Sequence, residues 1–180
     1  MKRLVGVGCL AVILAVGLAL SGCSKGTEHG AAGTKAIAVL YPTAGNKVQG
    51  VVSFSKERDG MVIEASIQGL TPGLHGFHMH EFGDCSSQDA NSAGGHFNPT
   101  NTPHGSPTSD KHHAGDFGNV QADAGGIAKF KLVVQGLSLE GPNSILGRSV
   151  IVHAQADDFT TQPTGASGPR VACGVVGILK

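Results

Sequence analysis

The chain predicts an all-β domain, and three observations carry that reading. Glycine supplies 28 and proline 8 of the 180 residues, charge is sparse at 14% and tryptophan is absent. Such a composition favours short strands joined by turns and loops over long helices. Short runs rich in β-branched and aromatic residues then recur at 36–41, 48–55, 61–68, 76–82, 117–121, 127–134, 149–154 and 174–179. Eight such runs suggest a sandwich or a flattened barrel. A chain of this length buries one core of ordinary size, and nothing indicates a second globular domain.

The segment before the first strand has a different character. Residues 1–22 read as an export signal: Lys2 and Arg3, an uncharged apolar run from Leu4 to Leu20, then Leu20, Ser21, Gly22 and Cys23. The string LSGC matches the bacterial lipobox pattern, which makes Cys23 the lipidated first residue of the mature chain. The domain would then be held outside the cytoplasmic membrane by a lipid anchor, on the periplasmic or cell-surface side of the envelope. An uncleaved membrane anchor is the alternative, because the apolar run is nearly long enough to span, and it leaves the domain on the same side. Residues 24–34, SKGTEHGAAGT, are small and polar and read as a flexible tether. The domain is expected to run from Lys35 to Lys180.

Cysteine and charge narrow the context further. Cys9 lies in the signal and Cys23 at the lipid position, so Cys85 and Cys173 are the body cysteines. An exported domain can keep a disulfide between them, worth about 4 kcal/mol in the chain-entropy model for so long a loop. Two free buried thiols are the alternative. The whole chain is neutral, with 13 basic and 13 acidic residues, and without Lys2 and Arg3 the balance is 11 to 13, or −2. No basic field for a nucleic-acid partner exists.

Two long interruptions hold the unusual residues. Residues 83–115 are rich in Gly, Ser, Asn, Pro and His, longer than an ordinary loop and expected to be functional. A second loop is expected from Gln155 to Arg170. In the run GFHMHEF, His78 and His80 are two apart, so a strand puts both imidazoles on one side. The run VIVH ends in His153, a third nitrogen, and ligation by nitrogen alone suits copper(II). On the long loop, His104, His113 and Asp116 offer two nitrogens and an oxygen, a set that tetrahedral zinc accepts. Each set is one ligand short. His96, in GGHFNP, completes both if it gives up its second ring proton and uses both nitrogens.

The body resembles the copper/zinc superoxide dismutase family almost end to end. The resemblance rests on GFHMHEFGDC from Gly76, AGGHFNP from Ala93, HGSPTSDKHHAGDFGNV from His104, LGRSVIVHAQADD from Leu146 and GPRVACGVVGI from Gly168, in that order. It implies an eight-stranded Greek-key β-barrel. It also implies copper on His78, His80, His96 and His153, and zinc on His96, His104, His113 and Asp116. Cys85 and Cys173 match the family's disulfide, and Arg170, three residues before Cys173, matches its active-site arginine. Asp157 matches the carboxylate that ties a copper histidine to a zinc histidine. The implied reaction converts superoxide to O2 and hydrogen peroxide, with His96 handling a proton and zinc holding the long loop in place. The family includes monomers and dimers, so a homodimer is possible.

Other residues carry plainer expectations. His75 is expected to face away from the metals and bond to backbone, and His29 and His112 to be solvated. Asp84 and Asp110 read as loop caps or surface charges. The second loop, DDFTTQPTGASGPR, has little charge beyond Asp157, Asp158 and Arg170, so attraction of an anion would fall to Arg170 and the metal. Two rivals use the same features differently: a copper or zinc storage or delivery module without turnover, and an adhesive barrel. Arg170 and the shared His96 favour turnover over storage, and the convergence of unusual residues on metal weighs against adhesion.

Overall fold

The computed structural model describes Met1 and residues 35–180; the signal segment, Cys23 and the tether lie outside the described residues. The chain forms β1 (Lys35–Pro42), β2 (Gln49–Glu57), β3 (Gly60–Gln68), β4 (Gly73–His80), β5 (Asp116–Ala122), β6 (Ala128–Val134), β7 (Ser149–His153) and β8 (Arg170–Leu179). All are antiparallel and close into a barrel in the order β1-β2-β3-β6-β5-β4-β7-β8. The β3–β4 and β6–β7 connections pass over intervening strands, which is the Greek-key pattern. The expected fold class, all-β with eight strands, is the observed one.

Alternation sets the inner face. Ala36, Ala38 and Leu40 of β1, Val52 and Phe54 of β2, and Ile63, Ala65 and Ile67 of β3 point inward and are buried. With Phe77, Met79, Phe117, Val150 and Val152 they form one core cluster, and Phe77 packs edge-on against Phe130 at 5.3 Å between ring centroids. Burial of this apolar surface is the main driving force for closure.

β4 breaks the alternation, since every residue from His75 to His80 is buried. Phe77 and Met79 fill the core, while His78 and His80, on the other face by the period of two, lie beneath the loops that cover β4. Those loops are stitched to β4 through main-chain bonds. Met79 N–H donates to Gly115 O at 2.9 Å, Phe97 N–H to Met79 O at 2.8 Å, and Gly115 N–H to Phe97 O at 2.9 Å. A Cβ at Gly115 would strike Met79 O, so only glycine allows this approach.

Strand boundaries depart from expectation at two functional ends. β4 begins at Gly73, earlier than the predicted 76, and stops at His80. β8 begins at Arg170, four residues before the predicted start, so Arg170 belongs to a strand and not to the second loop. The physical reason is pairing: a register shift after Val152 brings His153 opposite Arg170, and the Thr43 hydroxyl donates to Arg170 O at 2.8 Å. The Pro169–Arg170 sequence gave no hydrophobic alternation from which to extend the strand.

Candidate metal centre

Three neighbouring strands deliver the side chains. β4 lies between β5 and β7 in the barrel, so His78 and His80 are flanked by Asp116 at the start of β5 and His153 at the end of β7. The loop 81–115 folds back over this face and adds His96, His104 and His113, all buried. Two sets of four result, His78, His80, His96 and His153, and His96, His104, His113 and Asp116, with the candidate ligand atoms of each set within 4.8 Å of one another. His96 belongs to both.

Hydrogen bonds fix which ring nitrogen of each histidine is left free. His80 Nδ1–H donates to Gly94 O at 3.0 Å and His153 Nδ1–H to Gly168 O at 3.0 Å. Their Nε2 atoms therefore carry lone pairs, yet they face each other at 3.4 Å. Two lone pairs at that distance repel unless a cation lies between them, and about 3.3 Å is the separation of two ligands on a tetrahedral ion with 2.0 Å bonds. His78 Nε2–H donates to Asp157 Oδ2 at 2.7 Å, and its Nδ1 is buried without a partner, as is His96 Nε2. Two orphaned buried nitrogens in one protein interior are a departure from the rule that such groups are satisfied. A metal pair is the chemistry that satisfies them.

The second set is organised around one carboxylate. Asp116 Oδ2 accepts the backbone N–H of His113 at 2.8 Å and of Gly105 at 3.1 Å. This orients Oδ1 toward His96 Nδ1 at 2.8 Å, His104 Nδ1 at 3.0 Å and His113 Nδ1 at 3.3 Å. Three nitrogens and one oxygen form a small, buried cage of the composition zinc accepts.

Asp157 joins the two sets. Its Oδ2 holds His78 and its Oδ1 accepts His104 Nε2–H at 2.9 Å, so one buried carboxylate orients a histidine of each set. Asn119 in turn grips the Asp157 backbone, donating to its carbonyl at 2.9 Å and accepting its N–H at 2.7 Å.

Electrostatics follow from this packing. Burial pushes His153 down to about 3 and His96 down to about 4, and it also lowers His78 and, strongly, His80. These imidazoles are neutral at pH 7, the form that binds metal. Burial opposes the charged form of His104 too, but bonds to Asp116 and Asp157 outweigh it and raise its pKa to about 9 in the metal-free chain. Burial likewise opposes ionisation of Asp116 and Asp157, and hydrogen bonds from the histidines overcome it, holding both carboxyls far below the usual range.

Arg170 borders the first set in a cleft of about 400 Å³ with His80, His153, Thr164, Asp89 and Asn91. Its guanidinium is held by Ala90 O at 2.6 Å and Gly94 O at 2.7 Å. The loop that supplies those carbonyls is tied to β8 by the Cys85–Cys173 disulfide, which spans 5.8 Å between Cα atoms. His75 lies outside both sets and donates from Nδ1 to His153 O at 2.9 Å. His112 bonds to His113 O, and Asp84 caps Ser86 N–H at 2.8 Å. Gln162, Asn119 and Asp89 were not singled out from the sequence: each is a common loop or strand residue, and its role depends on which backbone it meets in space.

The comparisons agree with this geometry. A family profile described as copper/zinc superoxide dismutase (SODC) matches residues 48–176. The extracellular superoxide dismutase [Cu-Zn] of Brugia pahangi is 45% identical over 152 residues, covering 79% of this chain and 75% of that protein. The superoxide dismutase [Cu-Zn] of Onchocerca volvulus is 44% identical over 156 residues, 81% of this chain and 96% of that one. A solved structure of the clock protein EA4 superimposes with a TM-score of 0.75 at 42% identity, covering 82% of this chain and 96% of that one. With a family match over residues 48–176 and relatives 44–45% identical over most of its length, the chain belongs to the copper/zinc superoxide dismutase family.

Proposed function

We propose that His78, His80, His96 and His153 hold copper, that His96, His104, His113 and Asp116 hold zinc, and that the chain dismutates superoxide outside the cytoplasm. One observation carries the reading: His80 Nε2 and His153 Nε2 lie 3.4 Å apart with both ring protons committed to carbonyls. A shared metal ion relieves that contact, and the all-nitrogen set suits copper. When bound, copper supplies the one-electron couple by which one superoxide becomes O2 and a second, with two protons, becomes hydrogen peroxide.

The chain's own residues supply the rest. Arg170 places a fixed positive charge in the cleft beside His80 and His153, so it attracts the anion and offers it N–H donors. His96 Nε2, buried and without a hydrogen-bond partner, is the atom that can take up a proton and return it to reduced oxygen, while Nδ1 stays beside Asp116. Asp157 keeps His78 and His104 in the tautomers that aim Nδ1 inward.

A storage or delivery module would use the same ligands. Arg170, pinned by two carbonyls at the cleft, favours turnover, since sequestration needs no anion site. Metal analysis of the purified domain with a superoxide-consumption assay tests the reading. One copper and one zinc per chain with rapid consumption is expected, and full metal loading without consumption would leave storage as the function.

Export fits the disulfide and a relative named extracellular. The finer placement, a lipid on Cys23 at the cell envelope, is supported by the LSGC string. The expected result is a lipid mass on the mature N-terminal cysteine and release of Cys23→Ala from membranes. Val39, Tyr41, Val175 and Leu179 are exposed apolar residues of β1 and β8, Tyr41 at 68%, and β1 pairs with β8. Such a face suits a second copy in a homodimer, which sedimentation over a concentration series tests.

A further inference from the structure

The peptide groups of His104 are gripped by one side chain from the second loop. His104 N–H donates to Gln162 Oε1 at 2.8 Å, and Gln162 Nε2 donates to His104 O at 2.9 Å. No other hydrogen-bond partner of this N–H or this carbonyl is found among the described residues. The Asn119 grip on the Asp157 backbone has the same form. Between the two clamps runs the side-chain bond from His104 Nε2–H to Asp157 Oδ1. The arrangement is therefore reciprocal. β5 holds the acid of the second loop, and the second loop holds a histidine of the first.

We infer that Gln162 is a positioning residue for the zinc set: it locks His104 by its backbone, so zinc is retained only while the second loop stays closed against the first. The inference rests on the zinc assignment above. The chemistry selects glutamine. A primary amide carries a donor and an acceptor at the spacing of a peptide N–H and C=O, whereas a carboxylate lacks the donor and an ammonium lacks the acceptor. His104 is buried beneath the exposed Gln162, so the clamp both bonds the His104 peptide groups and covers them from solvent. A loosened His104 also slackens Asp157, which carries the effect to His78.

The test compares Gln162→Ala, which loses both bonds, with Gln162→Glu, which keeps the acceptor for His104 N–H and loses only the donor to His104 O. Holoprotein is mixed with a zinc chelator and release is followed, and hydrogen exchange of the His104 amide is measured alongside. Zinc release should quicken about tenfold or more in Gln162→Ala, the scale of losing a residue that orients a metal ligand, and by less in Gln162→Glu. Amide exchange at His104 should accelerate in Gln162→Ala and stay near wild type in Gln162→Glu, a pattern that general loosening of the fold does not produce. Faster amide exchange with zinc release within twofold of wild type would overturn the positioning role. Unchanged amide protection in Gln162→Ala would overturn the clamp itself. Should the alanine variant fail to fold, the glutamate variant still decides, because zinc release equal to wild type from it denies that the His104 carbonyl bond matters. A wild-type protein that binds no zinc would sink the assignment of the centre, an outcome distinct from either.

Discussion

His80 and Arg170 share a single acceptor: Gly94 O takes the imidazole Nδ1–H of His80 at 3.0 Å and the guanidinium of Arg170 at 2.7 Å. One carbonyl therefore fixes both the direction of an imidazole in the first ligand set and the position of the neighbouring guanidinium. Gly94 belongs to the loop closed by Cys85–Cys173, so the disulfide acts on the site at one remove. It need not touch the substrate.

Arg170→Ile should lower the second-order rate of superoxide consumption about tenfold with copper and zinc contents unchanged, and Arg170→Glu should lower it further by reversing the local field. Added salt should slow the wild type more than the isoleucine variant. Reduction of the disulfide should move the rate in the same direction as Arg170→Ile, because it frees the loop that holds the guanidinium. Pulse-generated superoxide decay at two ionic strengths is the measurement. Native rates in both variants at full metal occupancy would remove Arg170 from the mechanism.

An opposing charge lies in the same cleft. Asp89 is exposed and lines it with Arg170, and its carboxylate is fixed by the Asn91 backbone N–H at 2.9 Å and the Asn91 amide at 2.6 Å. For an incoming anion its field subtracts from that of Arg170. Asp89→Asn keeps an acceptor for the backbone bond and deletes the charge, so the rate should rise about twofold or more at low ionic strength and the gain should vanish in high salt. Asp123→Asn, which removes a charge in the β5–β6 turn, should leave the rate unchanged. A low-salt rate for Asp89→Asn equal to wild type would count against the tempering role.

Much of this molecule is legible from residue patterns. The alternation of β1 to β3 predicts their inward faces, and the HxH spacing of His78 and His80 predicts that they share a side. The loop ligands His96, His104 and His113 carry no periodicity of their own, and only the match to known motifs links them. The clamps escape even that. Gln162 and His104 are 58 residues apart, and nothing local to either announces that a side-chain amide will take the place of a peptide partner. Arg170 shows the converse problem: its identity was readable, but its strand was not, because β8 is extended by pairing with His153 and not by its own composition.

The metal-free protein should be acid-sensitive, and the sign follows from the buried histidines. His153 at about 3 and His96 at about 4 are neutral in the fold, while in the unfolded chain a histidine takes its proton near 6.5. Below that pH the unfolded state binds more protons, so stability falls as pH drops from 6.5 toward 4, by about 1.4 kcal/mol per pH unit for each such group. His104 has the opposite sign. Raised to about 9, it stabilises the fold below 6.5, and that contribution disappears as pH rises through 9. Thermal unfolding of metal-free protein from pH 4 to 10 should thus show losses on both sides of neutrality. With both metals bound, the acid-side loss should begin at lower pH, since protons must then compete with the ions. A flat metal-free profile would mean that these histidines are solvated.

Gly165 offers the sharpest test of the Asp157 tie. Its φ is +65°, and a Cβ there would overlap Asp157 Oδ1 and crowd His104 Nε2 at 2.6 Å, the two atoms of the bond between the ligand sets. Gly141 has a similar φ of +73° with nothing within 4 Å. Alanine at either position incurs the left-handed backbone cost of about 1 kcal/mol, so Gly141→Ala measures that cost alone. Gly165→Ala adds displacement of Asp157, which frees His78 and His104 to rotate. Loss of such an orienting partner lowers metal affinity about 10- to 100-fold. The two variants should therefore lose similar backbone stability, while only Gly165→Ala releases zinc readily to a chelator and broadens the copper(II) spectrum. Equal metal retention in both would mean that the His104–Asp157 bond does not hold the centre together.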